Sequence, residues 1–430
     1  MNVENGKSGA ALRFRDADRV HLLGVGGVGM SALATLLARK GCVVSGSDRN
    51  LDTPNIRFLR SIGVVCHPDD GSGVDASLDA VVVSTAIEGD NPALVKAKEL
   101  GVAVFHRAAA LSAALADKKL VAVVGTCGKS TVTAMLGHVL AECGLDPLCV
   151  NGANVPGWEG AVRYGHGEYA VAEVDESDKS LVAFRPYAAI VTNSSADHYS
   201  KEEMDEVFDA FVKGMPGPLV DGRNDRGISA GEVECSLPGR HNRENAANAL
   251  RMALALGCDE GAARRALTTF GGVERRLQRI TPAGAPQDVP VVYDDYAHNP
   301  EKIRAMWTTL AEAHPKGLCV VWRPHGYGPL KKMMEPLAAM FRDTVRASDR
   351  LIILPVYDAG GTADRSVSSA DLLAMLGGVN AELADGPDAA FERMAALRRE
   401  YGAFAMCGAR DPALPVLARR LAAAFSEAEG

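Results

Sequence analysis

The chain contains 430 residues, of which 47% are hydrophobic and 23% are charged, and its formal net charge at pH 7 is −8. This composition is typical of a folded globular protein and excludes a disordered or fibrous one. The acidic balance gives no indication of nucleic-acid binding, and no apolar run approaches the roughly 18 residues of a membrane span. We therefore expect neither nucleic acid nor a membrane as a partner.

The nine cysteines are scattered without a CxxC pair or a zinc-type spacing, which favours a reducing compartment. The opening sequence MNVENGKSGAALRFRD lacks the apolar core of a signal peptide. We expect a cytoplasmic protein, either a monomer or a homodimer.

Short apolar runs alternate with amphipathic stretches of helical periodicity from end to end, a pattern typical of parallel, doubly wound α/β sheets. The length accommodates three such Rossmann-like domains in tandem, each with its own core. We place them at residues 1–117, 118–280 and 281–430. Within the second domain, residues 213–238 are rich in glycine and proline and are expected to be mostly loop.

The first domain opens with the predicted strand and turn VHLLGVGG, followed by a helix near residues 30–40. Gly24, Gly26 and Gly29 satisfy the GxGxxG pattern, and Asp48 ends the next predicted strand. Backbone N–H groups at such a helix start bind the diphosphate of a nucleotide. By itself the pattern is a weak signal, and it fits NAD and a dehydrogenase as well as another nucleotide diphosphate.

The second domain opens with VAVVGTCGKST over residues 121–131, an apolar strand running into a glycine-rich turn and a helix. Gly125 and Gly128 permit the tight turn, Lys129 can neutralise terminal phosphates, and the Ser130 hydroxyl is placed to hold magnesium. The strict GxxxxGK[ST] pattern is not met, because Val123 stands at its first glycine position. An ordinary strand–turn–helix junction is therefore the alternative to a phosphate site.

Two further predicted strands of this domain run into the polar segments AEVDESD and TNSSADH. In open α/β sheets, ligands bind at the carboxyl ends of the strands. Glu173 and His198 are therefore candidates to complete magnesium coordination around phosphate oxygens. The alternative is that both are solvated loop residues.

The third domain alternates in the same way, and its predicted strands end in VVYDDYAHNP, GLCVVWRPHGYG, RLIILPVYDAGG and AFAMCGARDP. Along the whole chain, the segments GTCGKST, AEVDESD, TNSSADHYS, GRHNRENAANAL, GVERRLQ and DDYAHNPEKI occur in an order that resembles the Mur ligases. These are the ATP-dependent enzymes of peptidoglycan precursor assembly. The N-terminal segments LLGVGGVGMSALA, VSGSD and STAIEGDNPAL are similar to those of members that act on UDP-N-acetylmuramate.

The resemblance implies an ADP-forming ligase that adds an amino acid, L-alanine or another, to UDP-N-acetylmuramate through an acyl phosphate. It implies that the central domain is a P-loop-type ATPase domain and that ATP and Mg²⁺ are the cofactors. ATP would lie between the central and C-terminal domains, and domain closure would assemble the site.

The resemblance also assigns roles to individual residues. The diphosphate of the UDP-sugar would lie against the helix start at Gly24, Gly26, Gly27 and Gly29, with Asp48 near the nucleoside. ATP would contact Gly125, Thr126, Gly128, Lys129, Ser130 and Thr131, with Asn245 at the adenine and Asp294 or Asp295 at the ribose. Magnesium ligands would be Ser130 and Glu173 for one ion and His198 for a second. The catalytic set would be Lys129, Glu173, His198, Arg276 and His298; Arg275 is the alternative to Arg276 as the phosphate contact.

The acceptor loop departs from the family pattern. Where the alanine-adding pattern PHRYxR carries arginines, this chain has Gly326 and Pro329 in RPHGYGPLKK. Arginine clamps an amino-acid carboxylate in a way that glycine cannot. Arg323 and His325 are the candidates for acceptor binding, and Lys331 or Lys332 could add a cation.

Two smaller departures concern the central domain. The segment between His198 and Gly239 is short, where the family usually inserts further strands. Cys127 stands where the family often has histidine or serine, and we interpret it as a tolerated small side chain. Three alternatives stay open: a ligase for a recycled cell-wall peptide or another acceptor, a noncatalytic nucleotide-binding protein of the same fold, and the dehydrogenase.

Overall fold

A computed structural model describes residues 12–175, 180–194, 201–224, 227–282, 284–286, 288–358, 364–409 and 411–427. The contacts divide the chain into two compact units, Met1–Ser236 with Asn242–Val273, and Leu237–His241 with Glu274–Gly430. The first unit holds two sheets and the second holds one. The doubly wound α/β class predicted from the sequence is confirmed.

The first sheet is entirely parallel, with strand order β3-β2-β1-β4-β5. Its strands are β1 (Arg19–Leu23), β2 (Val43–Asp48), β3 (Val65–Pro68), β4 (Ala80–Val83) and β5 (Val104–His106). The helices are α1 (Val28–Arg39), α2 (Pro54–Ser61), α3 (Pro92–Glu99) and α4 (Arg107–Ala114). Met30 through Leu37 of α1 are all buried, as expected for a helix enclosed on several sides.

The second sheet has the order β11-β10-β6-β9-β7-β8, and only β8 runs antiparallel to its neighbour. Its strands are β6 (Lys119–Val124), β7 (Leu148–Val150), β8 (Val162–Arg163), β9 (Tyr169–Glu173), β10 (Ala188–Val191) and β11 (Leu219–Asp221). The helices are α5 (Lys129–Glu142), α6 (Lys201–Val212), α7 (Arg240–Ala255) and α8 (Glu260–Thr269). In its described part, the segment expected to be loop-rich holds β11 and a short 3-10 helix, Ala230–Glu232.

The first two sheets share one continuous hydrophobic core that extends from Val20 to Phe208. An ion pair reinforces this connection: Arg39 at the end of α1 donates from Nε to Oε2 of Glu159 at 2.8 Å. The shared core explains why the first two sheets form a single unit.

The third sheet has the order β12-β13-β17-β14-β15-β16, with only β12 antiparallel. Its strands are β12 (Gln278–Arg279), β13 (Val291–Asp295), β14 (Leu318–Trp322), β15 (Arg350–Ile353), β16 (Ala381–Leu383) and β17 (Ala403–Cys407). The helices are α9 (Pro300–Ala313), α10 (Tyr327–Thr344), α11 (Ser369–Ala374), α12 (Pro387–Ala396) and α13 (Ala413–Glu427). Alternate residues of β17 enter two cores, one on each face, as a covered parallel sheet requires.

Several helices begin where the sequence supplies a capping residue. The Asn299 side chain accepts a hydrogen bond from the N–H of Lys302, and Pro300 takes the first position of α9. Ser368 and Asp371 form a capping box at α11. In the part of the chain that the structure describes, no helix is long and apolar enough to cross a membrane.

Candidate functional site

The carboxyl ends of three adjacent strands meet at one edge of the second sheet. β6 lies between β10 and β9, with Val124 opposite Val191 and Val123 opposite Glu173. The glycine-rich turn after β6 and the carboxylate of Glu173 therefore share this edge. In open α/β sheets, this edge is where ligands bind.

The turn between β6 and α5 has a backbone that only glycine adopts readily. Gly125 and Gly128 have φ values of 129° and 83°, in the region that side chains disfavour. Gly128 immediately precedes α5 and has no side chain with which to cap it. The first N–H groups of α5 are thus suited to an anion such as phosphate.

The side chains predicted to contact ATP phosphates surround this turn. Nζ of Lys129 donates a hydrogen bond to the carbonyl oxygen of Gly125 at 2.6 Å, so the ammonium group folds over the turn. The other predicted contacts, Thr126, Ser130 and Thr131, are buried beside it. The structure therefore brings the predicted phosphate-binding residues together.

Glu173 ends β9, and its carboxylate is fixed by the backbone. Oε2 accepts a hydrogen bond from the N–H of Gly152 at 2.8 Å. Carboxylate and hydroxyl oxygens are ligands that Mg²⁺ prefers, and the assignment of Glu173 and Ser130 to the metal stays a prediction. His198 lies outside the described residues. Within the described ranges no group of three or more acidic, histidine or cysteine side chains could hold a metal.

Asn245, the predicted adenine contact, lies on α7 against the phosphate turn. Its side chain is 7% exposed, and its Oδ1 would be 2.4 Å from a Cβ placed on Gly128. Position 128 thus requires glycine for two reasons: Asn245 leaves no space for a side chain, and the positive φ is one that side chains disfavour. The predicted role at adenine stays a prediction.

The sequence interpretation did not single out Thr192 and Asn193, although both lie in the quoted segment TNSSADH. Both side chains hydrogen-bond to Cys127 in the middle of the turn. The signal that could have found them is the abrupt change from the buried strand AAIV to two hydrogen-bonding side chains.

The glycine-rich turn of the first sheet forms a second anion-binding arrangement. Gly24 has φ 71°, and the N–H of Gly26 donates to Oδ2 of Asp48 at 2.9 Å. Gly27 precedes α1, and a Cβ on Gly29 would be 3.4 Å from the guanidinium of Arg107. Arg107, which sequence reasoning missed, adds a positive charge beside the helix start and favours a bound diphosphate.

The carboxylate of Asp48, expected near the nucleoside, accepts hydrogen bonds from the backbone of the protein itself. Oδ2 accepts from Gly26, and Oδ1 accepts from the N–H of Asn50 at 3.0 Å. Both oxygens thus order the protein's own loop.

In the second unit, the two candidate ribose-binding carboxylates have different contacts. Asp294 is 1% exposed and pairs with Nε of Arg275 at 3.3 Å. Asp295 accepts hydrogen bonds from the N–H groups of Leu277 at 2.6 Å and Ala297 at 2.7 Å. Burial raises the pKa of Asp294 to about 6 and also raises the pKa of Asp295.

Arg275 and Arg276 both stack on Tyr296, with guanidinium carbons 5.0 and 5.4 Å from the ring centroid. Arg275 has φ 58° and also donates to the carbonyl oxygen of Gly408. Arg275 is thus tied to its own unit by the ion pair with Asp294 and by this backbone contact.

His298 and His325 form an edge-to-face pair with ring centroids 4.9 Å apart. Nδ1 of His298 lies 3.0 Å from the carbonyl oxygen of Tyr296. Burial, with a contribution from Lys302, lowers the pKa of His298 to about 4, so the ring is neutral at pH 7. Because a carbonyl only accepts, the proton resides on Nδ1 and Nε2 is the acceptor nitrogen.

Arg323, a candidate acceptor-binding residue, is held in a buried ion pair. Its guanidinium contacts Oδ2 of Asp411 at 2.7 Å and the carbonyl oxygen of Pro355 at 2.9 Å. Asp411 is 2% exposed. Lys331, the other possible compensating cation, pairs with Asp364 at 2.8 Å. Because Arg323 and Lys331 each pair with an aspartate, neither is an evident replacement for the arginines that the acceptor loop lacks.

Three mainly parallel sheets with a glycine-rich phosphate turn on the central one define a nucleotide-binding α/β protein. Family comparison is more specific. Residues 19–119 match the model described as "Mur ligase family, catalytic domain", and residues 275–410 match "Mur ligase, glutamate ligase domain".

Relatives extend this match over most of the chain. The UDP-N-acetylmuramate–L-alanine ligase of Paenarthrobacter aurescens is 34% identical, covering 91% of this chain and 94% of its own. The enzyme of the same name from an Arthrobacter species is 35% identical over 82% of this chain and 84% of its own. The chain therefore belongs to the Mur ligase family, and it is an ATP-dependent, ADP-forming acid–amino-acid ligase.

Solved structures show the same fold. The UDP-N-acetylmuramate–alanine ligase of Thermotoga maritima superimposes with a TM-score of 0.76 at 24% identity, covering 95% of this chain and 99% of its own. A murein peptide ligase from Psychrobacter arcticus gives 0.64 at 20% identity with the same coverage. At these identities the likeness concerns the fold alone.

Proposed function

We propose that the chain adds an amino acid, L-alanine or another, to the carboxylate of UDP-N-acetylmuramate in peptidoglycan precursor synthesis. The observation that carries this proposal is the similarity, over most of the chain, to relatives named for that activity, which are 34 to 35% identical. The phosphate turn and Glu173 at the same sheet edge support it. Because ATP and UDP-sugars are cytoplasmic metabolites, the proposed reaction belongs in the cytoplasm.

The proposed binding sites follow the two anion-binding turns. The turn before α1, with Arg107 beside it, would hold the diphosphate of UDP-N-acetylmuramate. The turn before α5 would hold the ATP phosphates. The division into three domains and the assignments of Asn245, Asp294, Asp295 and Arg276 stay predictions.

The proposed reaction needs no protein nucleophile. A carboxylate oxygen of the sugar substrate attacks the γ-phosphorus of ATP, ADP leaves, and the resulting acyl phosphate is attacked by an amine, which expels inorganic phosphate. Lys129 neutralises charge on the transferring phosphoryl group. Ser130, Glu173 and His198 would hold Mg²⁺, which supplies further charge neutralisation when bound. The catalytic role of His298 stays a prediction.

A second candidate is a ligase for a recycled cell-wall peptide. Gly326 and Pro329 stand where arginines would clamp the carboxylate of a free amino acid. A larger amine can obtain binding energy from contacts other than the missing arginine fork.

The test measures phosphate release and product mass with Mg-ATP, UDP-N-acetylmuramate and, separately, L-alanine, other amino acids and cell-wall peptides. Efficient addition of L-alanine would establish the first candidate. Turnover with a peptide alone would establish the second. Lack of turnover with every amine would refute both candidates and favour another carboxylate substrate. Reactions without Mg²⁺ and without UDP-N-acetylmuramate serve as controls.

A further inference from the structure

The end of β10 holds the middle of the phosphate turn through several hydrogen bonds. Oγ1 of Thr192 donates to the carbonyl oxygen of Cys127 at 2.7 Å, and Nδ2 of Asn193 donates to the same oxygen at 2.9 Å. Oδ1 of Asn193 accepts from the N–H of Cys127 at 2.9 Å. The carbonyl oxygen of Asn193 accepts from the N–H of Thr126 at 3.3 Å.

These contacts fix the peptide groups on both sides of Cys127. The N–H and C=O of Cys127 are both bound, so neither peptide plane rotates without breaking hydrogen bonds. The next N–H groups along the chain, those of Gly128 and Lys129, take their direction from this arrangement. They are also the groups that begin α5, where phosphate is proposed to bind.

Thr192 and Asn193 lie so close to Gly125, at the start of the turn, that no side chain could be placed there. A Cβ on Gly125 would lie 2.1 Å from Oγ1 of Thr192 and 2.9 Å from the carbonyl oxygen of Asn193. Thr192 itself is 4% exposed and directly follows β10, where its N–H bonds the carbonyl oxygen of Val124. The hydrogen bonds from Thr192 and Asn193 to the turn therefore come from residues anchored at the end of a buried strand.

A turn with two glycines has many conformations when it is not held. Each conformation in which the N–H groups point away from the ligand lowers the apparent affinity in proportion to its population. We propose that Thr192 and Asn193 are positioning residues that hold the turn in its phosphate-binding form. This inference rests on the proposed ATP site at the same turn.

Isosteric substitutions separate this role from packing. Thr192→Val keeps the shape but removes the donor, whereas Thr192→Ser keeps the donor. Asn193→Asp replaces the Nδ2 donor by an oxygen that faces the carbonyl of Cys127, and it brings negative charge towards bound phosphate. Thr268→Val on α8 is a matched control, because Thr268 is exposed and its hydroxyl bonds only locally to Arg265.

The experiment is calorimetric titration of the full chain with ADP, with and without Mg²⁺, together with steady-state kinetics. We expect Thr192→Val to weaken ADP binding by about tenfold and to raise the KM for ATP, as loss of a buried hydrogen bond implies. The KM for UDP-N-acetylmuramate should stay unchanged. Thr192→Ser should restore most of the affinity, Asn193→Asp should weaken it further, and Thr268→Val should bind as wild type does.

Wild-type affinity in Thr192→Val would overturn the positioning role while leaving the proposed site intact. An equal loss for ADP and UDP-N-acetylmuramate, with a lowered Tm, would also overturn it, because that is general damage to the fold. If Thr192→Val does not fold, Asn193→Ala, which removes both side-chain hydrogen bonds to Cys127 without adding charge, decides by the same criteria. Failure of the wild type to bind ADP would refute the proposed site, and this inference with it.

Discussion

The carboxylate of Glu173 lies in a space that exists only because residue 152 is glycine. Oε2 accepts the N–H of Gly152 at 2.8 Å, and a Cβ on Gly152 would be 2.5 Å from the same oxygen. A turn that follows β7 thus sets the direction of a carboxylate at the end of β9. If Glu173 is a magnesium ligand, Gly152 determines where that ligand points.

We predict that Gly152→Ala raises the Mg²⁺ concentration needed for half-maximal phosphate release. The added methyl group must displace the carboxylate, because no real Cβ tolerates such a contact. Gly271→Ala is the control, since a Cβ there has nothing within 4 Å. An unchanged Mg²⁺ dependence in Gly152→Ala would separate Glu173 from the metal site.

Glu173→Ala and His198→Ala should each raise the Mg²⁺ requirement, since oxygen and imidazole ligands share the coordination of the ion. Binding of Mn²⁺ to each variant, followed by its electron paramagnetic resonance in the presence of ADP, gives a readout independent of turnover. If both variants bind Mn²⁺ as the wild type does, neither side chain is a ligand.

Lys129→Ala should abolish most turnover and leave the fold intact, because the ammonium group folds over a part-buried turn rather than filling the core. Loss of a transition-state contact to phosphate costs on the order of 3 kcal/mol, about a hundredfold in rate. Lys98→Ala, at an exposed position on α3, is the matched control. Wild-type phosphate release from Lys129→Ala would refute the assignment of this turn to ATP.

The sequence predicted the fold class well because the long central strands are continuous apolar runs. β6, β10, β14 and β17 are buried along nearly their whole length, and burial on both faces produces that pattern. The strands that were missed are mostly short ones at or near sheet edges, such as β8 and β12. Two-residue strands depend on tertiary pairing, which leaves no periodicity to detect.

Parts of the site could not have been predicted, because they depend on contacts between distant segments. Arg107 is in contact with Gly29, and Gly152 with Glu173, although the two residues of each pair are well separated in the sequence. Nothing in RPHGYG indicates that Arg323 pairs with Asp411. The segment GTCGKST was identifiable because its function is local to one turn and one helix start.

Acid should destabilise the first unit through His21. This ring is fully buried and lies 2.8 Å from the hydroxyl of Ser45. Burial, assisted by His67 and opposed by Asp69 and Asp75, lowers the pKa of His21 to about 4. The unfolded chain binds a proton near pH 6.5 and the folded chain does not, so stability is full above that pH and decreases towards pH 4.

The free energy of unfolding should therefore fall with a contribution from His21 of about 1.4 kcal/mol per pH unit over this range. Urea unfolding at pH 7, 5.5 and 4.5 measures it. His21→Gln should give a shallower dependence even if it is less stable at pH 7. An identical pH dependence in wild type and variant would show that His21 titrates normally in the folded state. His298, whose pKa is also about 4, contributes with the same sign in the second unit.

Two roles of Arg323 can be tested against each other: binding of the acceptor and stabilisation of the fold. Its guanidinium neutralises Asp411, whose other oxygen accepts the N–H of Ala413 at the start of α13. Arg323→Ala leaves that buried carboxylate without its cation and should cost about 3 kcal/mol of stability. Arg323→Ala combined with Asp411→Asn should recover much of this loss, because the uncharged amide keeps the contact to Ala413. Unfolding of both variants in urea and the KM for the preferred amine decide between the roles. A large rise in that KM in both variants, with stability unchanged in the single one, would instead identify Arg323 as the residue that binds the acceptor carboxylate.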